Sequence, residues 1–241
     1  MADHLEIEQK FDVDVDFKRP DFAGLGDGPR DAGGDAAGEI TAAAPVLYLL
    51  SATYFDTADG RLAASKITLR RRTGGTDEGW HLKLPKVPAG TPLPDGVSSR
   101  LEVHAPLAAG TGVGGTAAGG TGAGDTAAGG TGAVVPAALA ARVAEVTGGL
   151  PLEPIANLDT ERTVVTLTGH DGRLLAEIAD DVVTARRLPD APSAEPLRWR
   201  EIEVEVPVPA PWLQRAAADL LLAAGARPPG HGSKLARLLN S

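Results

Sequence analysis

Charged residues alternate with uncharged ones in several short segments, beginning with HLEIEQKFDVD at residues 4–14. Successive side chains of a β-strand point to opposite faces, so Glu6, Glu8 and Lys10 would share one face. A single ionic face of this kind is typical of a half-exposed strand. Here carboxylates are concentrated in the first and last such segments and cations mostly between them, which favours a lined cavity. The later segments carry Arg70 and Arg72; His81 and Lys83; Arg100, Glu102 and His104; and Glu201, Glu203 and Glu205.

These residue types indicate one kind of ligand. Clustered carboxylates repel one another and have raised pKa values unless cations lie among them. The chain contains no cysteine, so a metal would have oxygen or imidazole ligands, and carboxylates suit Mg²⁺ or Mn²⁺. Arginine donates two parallel hydrogen bonds to phosphate oxygens. Carboxylates and arginines around one cavity therefore predict a site for a polyphosphate and a divalent metal.

The elements that would position these residues are mainly strands. Three helical patterns occupy 136–146, 211–225 and 233–240. Many strands with hairpin-length connections and few helices favour a closed antiparallel sheet over a parallel one. We therefore predict a β-rich α+β fold, an eight-stranded antiparallel β-barrel with a few covering helices. The predicted strands are 4–14, 45–57, 67–72, 79–85, 98–106, 161–167, 173–187 and 197–206.

Two segments have the composition of loops. Residues 24–38 are rich in Gly and Asp, and residues 107–133 are almost wholly Gly, Ala and Thr. The second contains a tandem repeat, GGTAAGGTGA followed by GDTAAGGTGA. Such a sequence cannot bury enough apolar surface to offset the entropy of ordering, so we expect a disordered insertion. It also lacks the Gly-Lys-Ser/Thr ending of a phosphate-binding loop.

Composition limits the partners and the location. At 241 residues and 43% apolar content, the chain can build a sizeable core. Acidic residues outnumber basic ones, 32 to 23, which argues against general binding to nucleic acid or to anionic membranes. The first ten residues lack the apolar core of a signal peptide, and no window approaches the ~20 apolar residues of a membrane span. We expect a cytoplasmic protein.

The motifs resemble those of the CYTH family, the triphosphate tunnel metalloenzymes. Glu6, Glu8 and Lys10 match the family's N-terminal Glu-x-Glu-x-Lys. The resemblance covers the chain outside its two Gly-rich segments, and it implies a single CYTH domain over 1–241. Many such domains precede a helical phosphate-binding domain, but this chain ends soon after GSKLARLL, so we expect no fused domain of that kind. Further matches, in order, are YFDT at 54–57, LRRR at 69–72, WHLKLP at 80–85, Arg100 with Glu102, Arg162, REIEVEV at 200–206 and GSKLARLL at 232–239.

The resemblance also implies roles. Lys83 is a candidate proton acceptor and would be catalytic together with Glu6 and Glu8. The implied metal ligands are Glu6, Glu8, Glu201, Glu203 and an acidic partner, for which we prefer Asp181 over Asp180 or Glu177. The implied phosphate ligands are Lys10, Arg70, Arg72, Lys83, Arg100, Arg162 and Lys234.

Family members include inorganic triphosphatases, thiamine triphosphatases and class IV adenylyl cyclases, built on an eight-stranded tunnel. Our leading expectation is a Mg²⁺- or Mn²⁺-dependent triphosphatase that releases orthophosphate from inorganic tripolyphosphate. An adenylyl cyclase and a non-catalytic polyphosphate-binding module are the alternatives. The compound hydrolysed, the preferred metal and the oligomeric state stay open at this point.

Other polar residues have simpler interpretations. His81 and His104 are expected to be satisfied polar packing, and Asp56 with Thr57 to begin a turn. Glu205 would either orient its neighbours or be exposed at the end of its strand.

Overall fold

The computed structural model describes residues 2–22, 25, 40–86, 96–107, 133–189, 194–208 and 210–241. The predicted loops at 24–38 and 107–133 lie outside the described residues, except for Leu25, Leu107 and Ala133.

Strands account for most of the described chain. They are β1 (Ala2–Val13), β2 (Thr41–Ala42), β3 (Val46–Asp56), β4 (Thr68–Thr73), β5 (Gly79–Pro85), β6 (Val97–Ala105), β7 (Glu153–Thr168), β8 (Leu174–Arg187) and β9 (Leu197–Val206). The helices are α1 (Arg61–Ala64), α2 (Ala137–Arg142), α3 (Ala144–Thr147), α4 (Pro211–Ala223) and α5 (Lys234–Leu239). Over these described ranges, no helix combines the length and apolar content needed to cross a bilayer.

Eight of the strands close into a ring. Each pairs antiparallel with its neighbours in the order β1-β9-β8-β7-β3-β4-β5-β6, and β6 returns to β1. The two-residue β2 adds to β7 outside the ring. The structure thus confirms the predicted closed eight-stranded antiparallel barrel with few helices.

Several boundaries differ from the prediction. Strand β7 begins at Glu153 rather than at residue 161, because pairing with β3 and β8 keeps the segment EPIANLD extended although it contains Pro, Asn and Asp. The helix predicted at 136–146 is divided at Val143 into α2 and α3. Short elements such as α1 and β2 carry too few residues for a periodic pattern.

The turn predicted at Asp56 and Thr57 is present. The Asp56 carboxylate accepts hydrogen bonds from the backbone N–H groups of Thr57, Leu62 and Ala63 at 2.7, 2.8 and 2.9 Å. These bonds satisfy the first N–H groups of α1, which have no partner within the helix. Asp56 therefore has a structural role.

Apolar side chains pack on the outside of the barrel in two clusters. The first lies under α4 and includes Ile7, Ile202 and Leu213. The second, under α2, includes Trp80, whose ring centroid lies 5.1 Å from that of Phe55. The outward position of these residues, which alternate with the charged ones, agrees with the strand period. The charged faces are left to line the interior.

Helix α5 fills one end of the barrel from within. Its Leu235 and Leu238 pack against Leu158, Val183 and Trp199, which point inward from β7, β8 and β9. Arg187 of β8 donates to the backbone oxygens of residues 238 and 239 at the C-terminal end of α5. We call this the closed end, and we call the opposite end, where β1 begins and β9 finishes, the mouth.

Candidate functional site

The barrel interior holds a cavity of about 390 Å³ lined by both signs of charge. Cations reach it from β1, β4, β5, β6, β7 and α5, and carboxylates from β1, β6, β8 and β9. Because strand pairing brings distant segments together, all of the predicted site residues lie on inward faces of the barrel or on α5.

Lys234 lies among three buried carboxylates at the closed end. Its Nζ is 2.8 Å from Asp181 Oδ2 and 2.7 Å from both Glu201 Oε1 and Glu203 Oε1. Burial opposes the charge on Lys234, but the three carboxylates outweigh it and raise the pKa well above its usual value. Oxygens of Asp181, Glu201 and Glu203 lie within 4.8 Å of one another, the one such acidic group among the described residues.

Arg162 and Lys10 extend this charge network toward the mouth. Arg162 donates from Nε and Nη2 to both Asp181 oxygens at 2.8 and 2.6 Å, and from Nη2 to Glu203 at 2.6 Å. Lys10 bridges Glu203 and Glu8, with 3.0 Å to Glu8 Oε2. Burial opposes ionisation of Glu203, but Lys10, Lys234 and Arg162 lower its pKa well below the usual range.

Glu6 and Glu8 each form an ion pair with a further cation. Lys83 donates to Glu6, and Arg100 donates to Glu8. Burial disfavours the charge on Glu8, but Lys10 and Arg100 overcome this and lower its pKa to about 2. Oε2 of Glu6 is buried without a hydrogen bond, so this carboxylate has an acceptor position to spare.

Glu102 is the centre of a network near the mouth. It accepts from His81 Nδ1 at 2.5 Å and lies 3.7 Å from Lys83 Nζ and 3.4 Å from His4 Nε2. The other His81 ring nitrogen lies 2.9 Å from the Asp77 carbonyl oxygen. Burial lowers the pKa of His81 to about 4 despite the bond to Glu102, and both ring nitrogens have a polar partner.

Arg72 is a buried cation and Arg70 is a partly buried one, and both have donors to spare. Arg70 donates to the Tyr54 hydroxyl at 3.3 Å, and Arg72 pairs with Asp77. The Nε group of each arginine is buried without a partner. Burial and the neighbouring Arg70 lower the pKa of Arg72, so an anion placed between them would relieve their repulsion.

Glu205 has the opposite environment. Burial and then the carboxylate of Glu6 raise its pKa to about 7. It is the Cα partner of Glu8 on β1 and of Glu177 on β8. Negative charge is therefore incompletely compensated where these three strands meet.

The predicted site residues lie at two depths. Glu8, Asp181 and Glu201 lie behind the cations that pair with them. Glu205, which the sequence left either as an orienting residue or as an exposed one, lines the cavity and continues the alternation of Glu201 and Glu203. The predicted residues at the cavity surface are Glu6, Lys10, Arg70, Arg72, Lys83, Arg100, Arg162, Glu203 and Lys234.

The fold and the site together indicate the class of protein: a closed antiparallel barrel whose interior is lined by cations and buried carboxylates. The chain belongs to the CYTH domain family, whose family model matches residues 29–237. Members of this family bind triphosphates and depend on divalent metals.

The chain is also similar to individual proteins. Two uncharacterized proteins of Mycobacterium tuberculosis, from strains CDC 1551 / Oshkosh and H37Rv, are each 36% identical over 253 residues. The alignments cover 100% of this chain and 41% of each relative, so the chain spans about two fifths of their length. A putative adenylate cyclase from Bacillus halodurans shares the fold, with a TM-score of 0.54, 17% identity and 98% coverage of both chains. That this chain is a single domain without a fused helical phosphate-binding domain stays a prediction.

Proposed function

We propose that this protein is a divalent-metal-dependent hydrolase that releases orthophosphate from triphosphate compounds. Inorganic tripolyphosphate, the substrate expected from the sequence, is the simplest of these and the first to be tested. The proposal rests on family membership and on the arrangement of charges in the bore.

The observation that carries the proposal is the set of cations in the cavity wall. The basic residues that line this one cavity are Lys10, Arg70, Arg72, Lys83, Arg100, Arg162 and Lys234. A linear polyanion in the cavity would have many hydrogen-bond donors within its walls, and the unpartnered Nε groups of Arg70 and Arg72 are two of them.

The carboxylates fit a hard divalent cation. All ligands would be oxygens, which suits Mg²⁺ or Mn²⁺. The group of Asp181, Glu201 and Glu203 is already compensated by Lys234. Oε2 of Glu6 accepts no hydrogen bond and lies 3.9 Å from Arg100 Nε, and burial together with the neighbouring Glu6 carboxylate raises the pKa of Glu205. We therefore propose Glu6 and Glu205, which line the cavity, as the primary metal ligands, with Glu8, Glu203, Glu201 and Asp181 supporting them. When bound, the metal would polarise phosphoryl oxygens and acidify water.

Side chains of the protein would position the phosphate chain and the attacking water. Arg70, Arg72, Arg100 and Arg162 would hold the phosphate chain in line and neutralise the charge of the transition state. Lys83 lies between Glu6 and Glu102. It is placed to contact an attacking water at the end of the phosphate chain. Because Lys83 donates to Glu6, it would have to release a proton of its own before it could accept the proton of that water.

The test is an orthophosphate-release assay on tripolyphosphate, thiamine triphosphate and ATP with Mg²⁺ or Mn²⁺. Arg70→Ala should lower kcat/KM about a hundredfold. Arg71→Ala is the matched control, since Arg71 belongs to the same strand but does not line the cavity. No orthophosphate from any of the three, under either metal, would refute the proposal.

The alternatives named by the sequence are separated in the same reactions. Conversion of ATP to cyclic AMP and pyrophosphate would identify a cyclase. Tight binding of tripolyphosphate without turnover would identify a binding module.

A further inference from the structure

The hairpin that joins β4 to β5 places a carboxylate in the wall of the cavity. This hairpin, residues 74–78, lies at the mouth, because β5 begins beside the end of β6, where β1 also begins. Its Asp77 forms an ion pair with Arg72 of β4, and both residues line the cavity. Arg72 is a proposed phosphate ligand. A position proposed for a phosphoryl group therefore already holds an anion that belongs to the protein.

The backbone of Asp77 is fixed by its neighbours. Its carbonyl oxygen lies 2.9 Å from His81 Nε2 and 3.5 Å from Arg72 Nη2. At the start of the hairpin, Gly74 has a φ of 79°, and a Cβ at this position would clash with the carbonyl oxygen of Leu49. The hairpin thus passes too close to β3 for a side chain at residue 74, and the strands on either side determine its path.

The side chain of Asp77 can move without the backbone. It is 58% exposed, whereas the side chain of Arg72 is only 5% exposed. A carboxylate at the surface can exchange an ion pair for water at little cost. A buried guanidinium that loses its anion is strongly unfavourable. The pair therefore joins a fixed cation, which needs an anion, to an anion that can leave.

Asp77 compensates Arg72 only in part. The Nε group of Arg72 is buried without a hydrogen-bond partner. Burial and then the charge of Arg70 hold the pKa of Arg72 below its usual value, although Asp77 opposes them. A terminal phosphoryl group carries up to about two negative charges and three acceptor oxygens. Because two anions at one guanidinium repel each other, such a group would displace Asp77 rather than bind beside it.

We infer that Asp77 is a displaceable counter-ion that sets the affinity of the cavity for a phosphate chain. In the free protein it compensates Arg72. When a chain binds, a phosphoryl group takes its place and the carboxylate turns to solvent. When the product leaves, Asp77 returns to Arg72, which favours release. This inference rests on the proposed function for the identity of the ligand but not for its turnover.

The experiment is a calorimetric titration of non-hydrolysable imidotriphosphate, with Mg²⁺ present, into the unaltered protein and its variants. Asp77→Asn removes the charge but keeps the size of the side chain and the backbone carbonyl. Glu78→Gln is the matched control, since it removes the same charge from the adjacent residue. Within the described part of the chain Glu78 has no ion pair, and it does not line the cavity.

The expected gain follows from the fraction of binding-competent molecules. If Asp77 occupies Arg72 in about nine of ten free molecules, its removal lowers the apparent Kd about tenfold. Asp77→Asn should therefore bind the analogue about tenfold more tightly, and Glu78→Gln should differ from the unaltered protein by less than about twofold. In an Arg72→Gln background, Asp77→Asn should change the Kd less than about twofold. On a triphosphate that is hydrolysed, Asp77→Asn should lower KM without raising kcat.

Three outcomes would overturn the inference while leaving the proposed function intact. The first is equal or weaker binding by Asp77→Asn. The second is an equal gain in Glu78→Gln, which would mean that only net charge matters. The third is a tenfold gain that persists in the Arg72→Gln background. If the analogue binds but no triphosphate is hydrolysed, the proposed function fails and the same affinities still decide the inference. Absence of binding to all of these proteins would refute both.

Discussion

At the scale of single residues, the site is a set of ion pairs between opposite kinds of ligand. Lys83 forms an ion pair with Glu6, Arg100 forms one with Glu8, and Lys10 pairs with both Glu8 and Glu203. Each pair joins a proposed phosphate ligand to a proposed metal ligand. In the protein alone these charges compensate one another, and this compensation offsets the cost of burying them.

Lys83 is the residue with the most testable role. Lys83→Arg keeps the positive charge, but a guanidinium does not release its proton at neutral pH. If Lys83 accepts the proton of water, this variant should retain KM and lose about a hundredfold or more in kcat. Lys83→Met should raise KM as well. Steady-state kinetics on the best triphosphate substrate measures both effects.

The control for these variants is Lys86→Arg, because Lys86 follows the same strand but is exposed. A Lys83→Arg protein with unchanged kcat would show that Lys83 only binds phosphate.

His81 predicts a pH dependence of stability. Its pKa is lowered to about 4 by burial, whereas an unfolded chain has a histidine pKa of about 6.5. The unfolded state therefore binds more protons between these values, and stability falls as the pH falls through this window. From pH 7 to pH 5 this group should cost about 2 kcal/mol.

Urea unfolding of the unaltered protein and of His81→Gln at both pH values measures how much His81 contributes to the pH dependence of the free energy of unfolding. The variant should lose about 2 kcal/mol less between pH 7 and pH 5. His170→Gln, at an exposed loop position, should keep the dependence of the unaltered protein. Equal pH dependence in all three would contradict the prediction.

At the scale of elements, α5 is the piece that completes the barrel. It has only six residues and would not be stable alone. Its leucines are held by the apolar interior of the closed end, and Arg237 pairs with Asp12 and stacks 5.2 Å from the Trp199 ring. These contacts place Lys234 among the carboxylates.

Lys234→Met tests this arrangement. The substitution leaves Asp181, Glu201 and Glu203 buried without their shared ammonium. Breaking a buried ion pair in this way costs about 3–5 kcal/mol, so the metal-free variant should have a much lower Tm. Added Mg²⁺ or Mn²⁺ should restore more stability to the variant than to the unaltered protein, because the three carboxylates then need a cation.

Thermal unfolding with and without each metal provides the measurement. Lys18→Met removes an exposed lysine and serves as the control. If metal raised the Tm of Lys234→Met and of the unaltered protein equally, these carboxylates would not be available to a cation.

At the scale of the whole molecule, the paired charges imply coupling between metal and phosphate. A metal alone would displace cations from carboxylates, and a polyphosphate alone would displace carboxylates from cations. Either change leaves buried charge uncompensated, while both together compensate it. Binding of one ligand should therefore strengthen binding of the other, and allosteric couplings are typically 1–3 kcal/mol, or about 5- to 150-fold.

Calorimetric titration of a non-hydrolysable imidotriphosphate with and without Mg²⁺ measures this coupling. Mg²⁺ also binds the analogue in solution, so the same titrations on Glu203→Gln supply the reference. The unaltered protein should gain at least fivefold more affinity from Mg²⁺ than the variant gains. Equal gains would mean that metal and phosphate bind independently.

Much of the barrel was predictable from local pattern. The alternation of Glu6, Glu8 and Lys10 or of Arg70 and Arg72 with other residues has the period of a strand, which is a property of the backbone and needs no tertiary contact. The same period puts Trp80, next to His81, on the outer face. It did not reveal the first eight residues of β7. Ala156 and Leu158 do alternate with Asn157 and Asp159, but Pro, Asn and Asp are poor strand formers, and pairing with β3 and β8 keeps the segment extended.

The sequence by itself determined which charged side chains share a face, the predominance of strands and the resemblance to a triphosphate-binding family. Only the tertiary structure decided which charges meet: Lys10 reaches Glu203 across 193 positions of sequence, and α5 brings Lys234 to three carboxylates. The uncharged part of the cavity lining is likewise a tertiary feature, since Val46 and Val164 become neighbours only when β3 pairs with β7. The alternation of side chains determines which face of a strand each residue occupies. Which residues lie opposite one another across the bore depends on the closure of the sheet, to which every strand contributes.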